Sequence, residues 1–564
     1  MQVQKFSALP YQRPDYAAAQ AELTALTEKA KAAASYSELK DVISQRNALM
    51  ASVNLPSELA FIRCYLDSSN AFYAAEMQYN MQQAAGISDA DFSAALLNSP
   101  FAEELSREFG PEFLLTQKDN MRLNAAAHDQ MAQEQQLMAQ YQQKKATMRI
   151  SFHGDELSEG QLDSKLDDPD RTVRREAHFA RNAVYAQDRA EFAQMLDELV
   201  HLRDGIAKAN GFADYLAYAN LQKGRRSYGT EELLAFCAEV RREIVPLYAE
   251  TCRAQAARLG LETLANYDAS CTWPDGGAKP IGDGPALLQA AKPMYRQLGT
   301  DIAELFETMA DNEYIDVTSS PNKISNMGFC TGLPEIEMPY IFGNCTGSMH
   351  DTTVLTHEMG HAYQVWLCMH GQPMPEYVNM PNDAVEIPSK AMEQFTLPFA
   401  ELFFGNDAEK FKADHMQYVL RETCSFCAAY EYEAWLYTHV NATEQDRIDR
   451  YNEISRAYFP AFDCSESADV LARGAELWRN MGIFMFPAYL ISYSLSNVCA
   501  LELRRRSETD FAAAWADYKT LCKAGGSRDY PGLMQLAHLP TAYAPGSAKT
   551  AAEFVRSKLN LCKN

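Results

Sequence analysis

Two histidines four residues apart with a glutamate between them, His357-Glu358-Met-Gly-His361, are the residues of this chain best placed to do chemistry. On a helix, positions four apart differ by only about 40° in direction, so both imidazoles project to one side and can reach one metal ion. Glu358 lies about 100° round from His357, where its carboxylate can take a proton from a water activated by that ion. Zinc suits neutral imidazole nitrogen. It lowers the pKa of a bound water to about 7 and polarises a substrate carbonyl. A catalytic site of this kind needs a third protein ligand and an open fourth position. Downstream, Asp383-Ala-Val-Glu386-Ile-Pro-Ser389-Lys-Ala-Met-Glu393 offers carboxylates on a second expected helix. Pro388 sits where a first helical turn accepts it, and Glu386 and Glu393 share one face. Acidic residues usually face solvent, but Val385, Ile387, Met392 and Phe395 mark this segment as partly buried, and buried carboxylates need a metal or a partner.

The elements that must hold these groups are mostly helical. Residues 16–34 and 176–209 repeat apolar positions three and four apart among Ala, Leu, Glu and Arg, which predicts amphipathic helices. Residues 124–145 are rich in Ala, Gln and Met without Gly or Pro, and read as one long polar helix. Residues 147–154 alternate apolar and polar before a Gly-Asp turn, predicting a strand or hairpin near 147–157. The Gly- and Pro-dense run from Trp273 to Pro285 predicts a surface loop. A division near residue 200 is expected, with an N-terminal helical lobe over 1–200 and a catalytic domain over 201–564.

The chain has 564 residues, 47% of them apolar and 22% charged, as in ordinary globular proteins. Lys and Arg total 51 against 75 Asp and Glu, a net charge of −24, which argues against nucleic acid or an anionic membrane as partner. No run reaches the roughly 18 apolar residues of a spanning helix; Ile483 to Tyr493 is short and contains Pro487. The first residues carry no apolar signal core, so a cytoplasmic location is expected. The 13 cysteines read as buried reduced thiols, and the lone CxxC of Cys424 and Cys427 as core packing.

Beyond the histidine pair, Gly328-Phe-Cys-Thr331, Pro339-Tyr-Ile-Phe-Gly-Asn344, Gly347 and Asp351 precede the motif, and Glu386-Ile-Pro-Ser389 and Glu393 follow it. With Gly211 to Tyr228, the Pro-Asp-Gly at 274–276 and Leu521 to Ser527, this pattern resembles the oligoendopeptidase F branch of the thimet-oligopeptidase-like zinc metallopeptidases over most of residues 150–560. The resemblance implies a mostly α, two-lobed helical fold with a deep central channel and a small β-sheet beside the active-site helix. It implies one zinc per chain held by His357, His361 and Glu386, with Glu358 as general base and Glu393 orienting a ligand. Tyr340, Ile341, Phe342, Gly343 and Asn344 would form an edge strand that holds a peptide by its backbone. In the family a tyrosine-rich helix donates to the oxyanion, and the matching residues are Tyr493 first and Tyr489 second. A histidine common shortly before these tyrosines is absent from Arg479 to Phe484. The expected activity is endopeptidase cleavage of short peptides. A carboxypeptidase or dipeptidyl carboxypeptidase on the same fold, or a weakened peptide-binding protein, is the alternative.

Overall fold

The computed structural model describes residues 3–84, 86–324 and 327–561. Local chemistry starts many of its helices. The carboxylate of Asp15 accepts the Ala18 N–H and opens Tyr16–Ala32, while the Ser35 hydroxyl accepts the Glu38 N–H and opens Tyr36–Leu66. The periodic stretch 176–209 is two helices, Arg171–Gln187 and Arg189–Ala209, which meet at Asp188. The polar stretch 124–145 becomes helical only from His128, after Ala127 at φ 67°, and runs to Thr147. Ile150–Phe152 pairs antiparallel with Asp155–Leu157, and the turn passes through His153 and Gly154 at φ 53° and 94°. Regular helix resumes after the Gly- and Pro-dense loop at Gly284–Leu298.

Contacts divide the chain into two units of three segments each, one built from 1–121, 279–408 and 503–539, the other from 122–278, 409–502 and 540–564. This differs from a division at residue 200, which falls inside the helix Arg189–Ala209 of the second unit. Composition along the chain carries no signal for segments that leave a unit and return to it.

In the first unit, Leu23, Leu26, Leu39, Ile43, Phe92 and Leu105 from the N-terminal helices form a core with Cys368, Met374 and Tyr377. A three-stranded sheet places Met338–Phe342 in the middle, parallel to Ile315–Asp316 and antiparallel to Phe329–Leu333. The expected edge strand is therefore a central one. Tyr340, Ile341 and Phe342 are fully covered, the Ile341 N–H donates to the Tyr314 carbonyl, and the Gly343 N–H donates to the Asp316 carbonyl. The Asn344 side chain bridges to the backbone of Ser320. The reason is non-local: the two-residue strand at 315–316 claims the side that the local sequence leaves open. The edge next to the central strand is Phe329–Leu333.

The motif helix, Met349–Gly371, packs on this sheet and on the short helix Ile387–Thr396. At its start the Asp351 carboxylate accepts the N–H groups of Gly347 and Ser348. A Cβ at Gly360 would lie 2.5 Å from the Pro388 carbonyl oxygen and 2.6 Å from Ser389 Cα, so only glycine lets the two backbones touch. The Pro388 carbonyl also accepts the Tyr518 hydroxyl at 3.0 Å, which ties the helix Phe511–Ala524 to the same point. Gly360→Ala is expected to cost about 1–3 kcal/mol of stability, because backbone rather than a movable side chain must yield. Urea unfolding of the variant beside the parent checks this.

Candidate metal centre

The close approach at Gly360 decides where the carboxylates of the second helix stand. Glu386 ends the helical turn Asn382–Val385 and opens Ile387–Thr396, so its side chain leaves the junction toward the motif helix. Its Oε2 lies 3.3 Å from His357 Nε2 and 3.2 Å from His361 Nε2. The two imidazole rings stand 4.9 Å apart at 79°, as expected for positions one helical turn apart. In a tetrahedral site with bonds of about 2.0–2.1 Å, neighbouring donor atoms are about 3.3 Å apart. The three groups therefore fit one ion, and they are the set among the described residues whose donor atoms converge within 4.8 Å.

The other nitrogen of His357, Nδ1, meets Glu393 Oε1 at 2.7 Å, which fixes the ring and leaves Nε2 for the site. Lys390, itself buried, lies 3.4 Å from the same Glu393 oxygen. The Ser389 hydroxyl donates to Glu386 Oε2 at 2.9 Å and holds that carboxylate in place. Glu358 is 6% exposed, and burial lifts its carboxyl above the ordinary value, against the pull of the two imidazoles. A Cβ at Gly328 would stand 3.3 Å from Glu358 Oε1, so the strand leading to Phe329 passes close beside this carboxylate because residue 328 has no side chain. Asp383 is buried in the preceding turn and is not part of the converging set.

Family comparison agrees with this arrangement. Residues 6–124 match the model of the peptidase M3 N-terminal domain, and residues 164–272 and 299–539 match that of peptidase family M3. The chain belongs to peptidase family M3. Its structure is similar to that of PZ peptidase A with an inhibitor, at 30% identity and TM-score 0.89, covering 99% of each chain. It is similar to a protein assigned as oligoendopeptidase F at 31% identity and TM-score 0.89, again over 99% of each chain. A second such assignment, from Bacillus anthracis strain Ames, is 29% identical with TM-score 0.85, covering 100% of this chain and 99% of that one. No match is found among curated proteins. The chain falls in the oligoendopeptidase F branch of the M3 family and is a metalloendopeptidase.

The site expected of this M3 chain also includes two tyrosines. Tyr489 and Tyr493 belong to the second unit, half-buried and edge-to-face at 5.7 Å. Their segment is anchored from below. Arg203 donates to the carbonyls of Ile483 and Phe484, Arg225 donates to the Ala488 carbonyl, and Glu433 accepts the Ala488 N–H. Ala488 takes φ 57° there. Sequence reading gave no role to Ser389, Lys390, Gly328 or Gly360. The glycine inside the motif helix, at 360, was the one sequence signal for close approach.

Without an ion, protons take its place. Burial works against a charge on His357, but the carboxylates of Glu386 and Glu393 outweigh it and raise the imidazole from 6.5 to about 10. Burial also opposes the charge on Glu386, yet His361 and His357 hold this carboxyl well below its usual range. A raised imidazole stabilises the fold fully below its unfolded pKa, and that contribution is lost as pH rises through the folded one. Chelator-stripped protein is therefore expected to lose melting temperature between pH 6.5 and about 10, while metal-loaded protein keeps it. Thermal unfolding of both forms across that interval reads the difference.

Proposed function

We propose that this M3 metalloendopeptidase is a zinc oligopeptidase that cuts internal bonds of short peptides in the cytosol, with His357, His361 and Glu386 as ligands. The observation that carries the reading is the pair of 3.3 and 3.2 Å separations of Glu386 Oε2 from the two imidazole nitrogens. A donor set of two neutral imidazoles and one carboxylate suits zinc and leaves a fourth position for water and substrate. The ion, when bound, supplies Lewis acidity toward the attacking water and the scissile carbonyl.

The chain's own residues do the rest. Glu358 takes the proton of the attacking water and passes it to the leaving amine. Glu393 keeps the His357 ring in one tautomer and orientation. The strand Phe329–Leu333, in place of 340–344, is the edge next to the central strand among the described residues and offers its outer side to an extended peptide. This mode recognises chain rather than one side chain. Tyr493, with Tyr489 second, donates a phenol hydrogen bond to the developing oxyanion. Twelve free cysteines among the described residues support a reducing compartment. Among those residues no helix is long and apolar enough to cross a membrane.

Elemental analysis is expected to find one zinc per chain, and Glu358→Gln to keep it while losing nearly all cleavage of a quenched peptide. Near-parental turnover by that variant removes Glu358 from the mechanism. Tyr493→Phe is expected to lower kcat far more than it raises KM, since its bond is made in the transition state. Steady-state kinetics on one peptide separates the two effects.

A further inference from the structure

We propose that a cavity inside the second unit binds a small organic anion, gripped by Arg181 and Arg421 with its apolar body against an aromatic wall. The cavity measures about 300 Å³, the lower end of the range for small-molecule pockets. Every residue that lines it belongs to the second unit, and none belongs to the metal centre. Tyr248, Phe459 and Phe462 form one wall, with rings 6.0 to 6.4 Å apart.

The charge of the lining is the unusual feature. Four arginines, at 181, 421, 456 and 479, face one carboxylate, Glu476, in a chain whose net charge is −24. Arg479 is taken, since it donates to Glu476 at 2.7 Å. Arg421 and Arg456 make no ion pair among the described residues, and Arg456, which is exposed, stands at the rim. Arg181 is 8% exposed, its Nε has no hydrogen-bond partner, and its one ion pair is a 3.5 Å contact to the exposed Asp163. Burial and the neighbouring Arg479 push its guanidinium down to about 10. Glu159, the other carboxylate nearby, is occupied by Tyr185 at 2.8 Å and Lys145 at 3.3 Å. His178 is held neutral by burial and adds no charge.

A buried guanidinium whose Nε lacks a partner and whose one ion pair is long is costly, and a carboxylate or phosphate relieves that cost by accepting from paired N–H donors of Arg181 and the half-exposed Arg421. The aromatic wall, whose rings are edge-on or tilted to one another, adds an apolar surface to the same cavity. Both features together select an anionic group carried on a small apolar body, either phosphoryl or carboxyl.

The test is calorimetric titration of the full-length, metal-loaded protein with phenyl phosphate, benzoate and neutral benzyl alcohol. Saturable binding of either anion, one per chain, with none for benzyl alcohol, supports the site, and the two anions distinguish a phosphoryl from a carboxyl ligand. Arg421→Gln, at a half-exposed position, is expected to weaken the bound anion about tenfold or more. Arg181→Gln should do the same if it folds. Glu358→Gln should bind the anion as the parent does, so loss of the proposed hydrolytic mechanism and loss of this site are read separately. No saturable binding of either anion at millimolar concentration, equal binding of benzyl alcohol, or unchanged affinity in Arg421→Gln overturns the proposal.

Discussion

Everything in the metal centre depends on two backbones meeting at Gly360. The motif helix presents two imidazoles by periodicity alone, but a ligand pair is not a site until a third donor arrives at a fixed distance. That donor is carried by a different helix, and its position follows from how near that helix can come. Contact of Gly360 with Pro388 and Ser389 sets this distance directly, without a layer of side chains that could relax. Tyr518 donates to the same carbonyl. The 3.2 and 3.3 Å separations at Glu386 are thus a product of packing rather than of the candidate donors themselves.

The electrostatics of the pocket follow from that packing. Three buried carboxylates, Glu358, Glu386 and Glu393, are gathered around two imidazoles and the buried Lys390. So much negative charge in a dry region demands a cation, and either protons or a metal can meet the demand. The raised His357 and the lowered Glu386 are two faces of one proton held where an ion would go. The hydrogen bonds of Glu393 to His357 and of Ser389 to Glu386 hold these candidate donors in one orientation.

How much of this was legible in the sequence depends on the distance over which each feature is decided. The motif helix and its two histidines follow from four-residue spacing, and periodicity alone gave a helix over 16–34 where the structure has Tyr16–Ala32. The segment around Glu386 was readable as a partly buried acidic helix, but the junction that aims Glu386 was not, since it arises where two short helices meet. Strand order was not legible at all. Met338–Phe342 becomes central because two residues at 315–316 pair with it across more than twenty positions, and so brief a strand leaves no alternation to detect. The start of the polar helix at His128 was missed for a similar reason: Ala127 turns into the left-handed region with no glycine to announce it. Local pattern offered Glu386 only as one of several carboxylates in that segment, and the roles expected of Glu386, Tyr489 and Tyr493 rest on family resemblance.

The division of each unit into three chain segments has a consequence for biosynthesis. The first unit begins at the N-terminus, yet its last segment, 503–539, leaves the ribosome only after nearly all of the second unit has been made. The histidine pair and Glu386 therefore emerge long before Tyr518, the group that props the turn between them. A nascent chain paused after Thr396 carries all three donors on elements whose final support does not yet exist. Packing around the candidate ion site thus waits for the segment 503–539 to emerge.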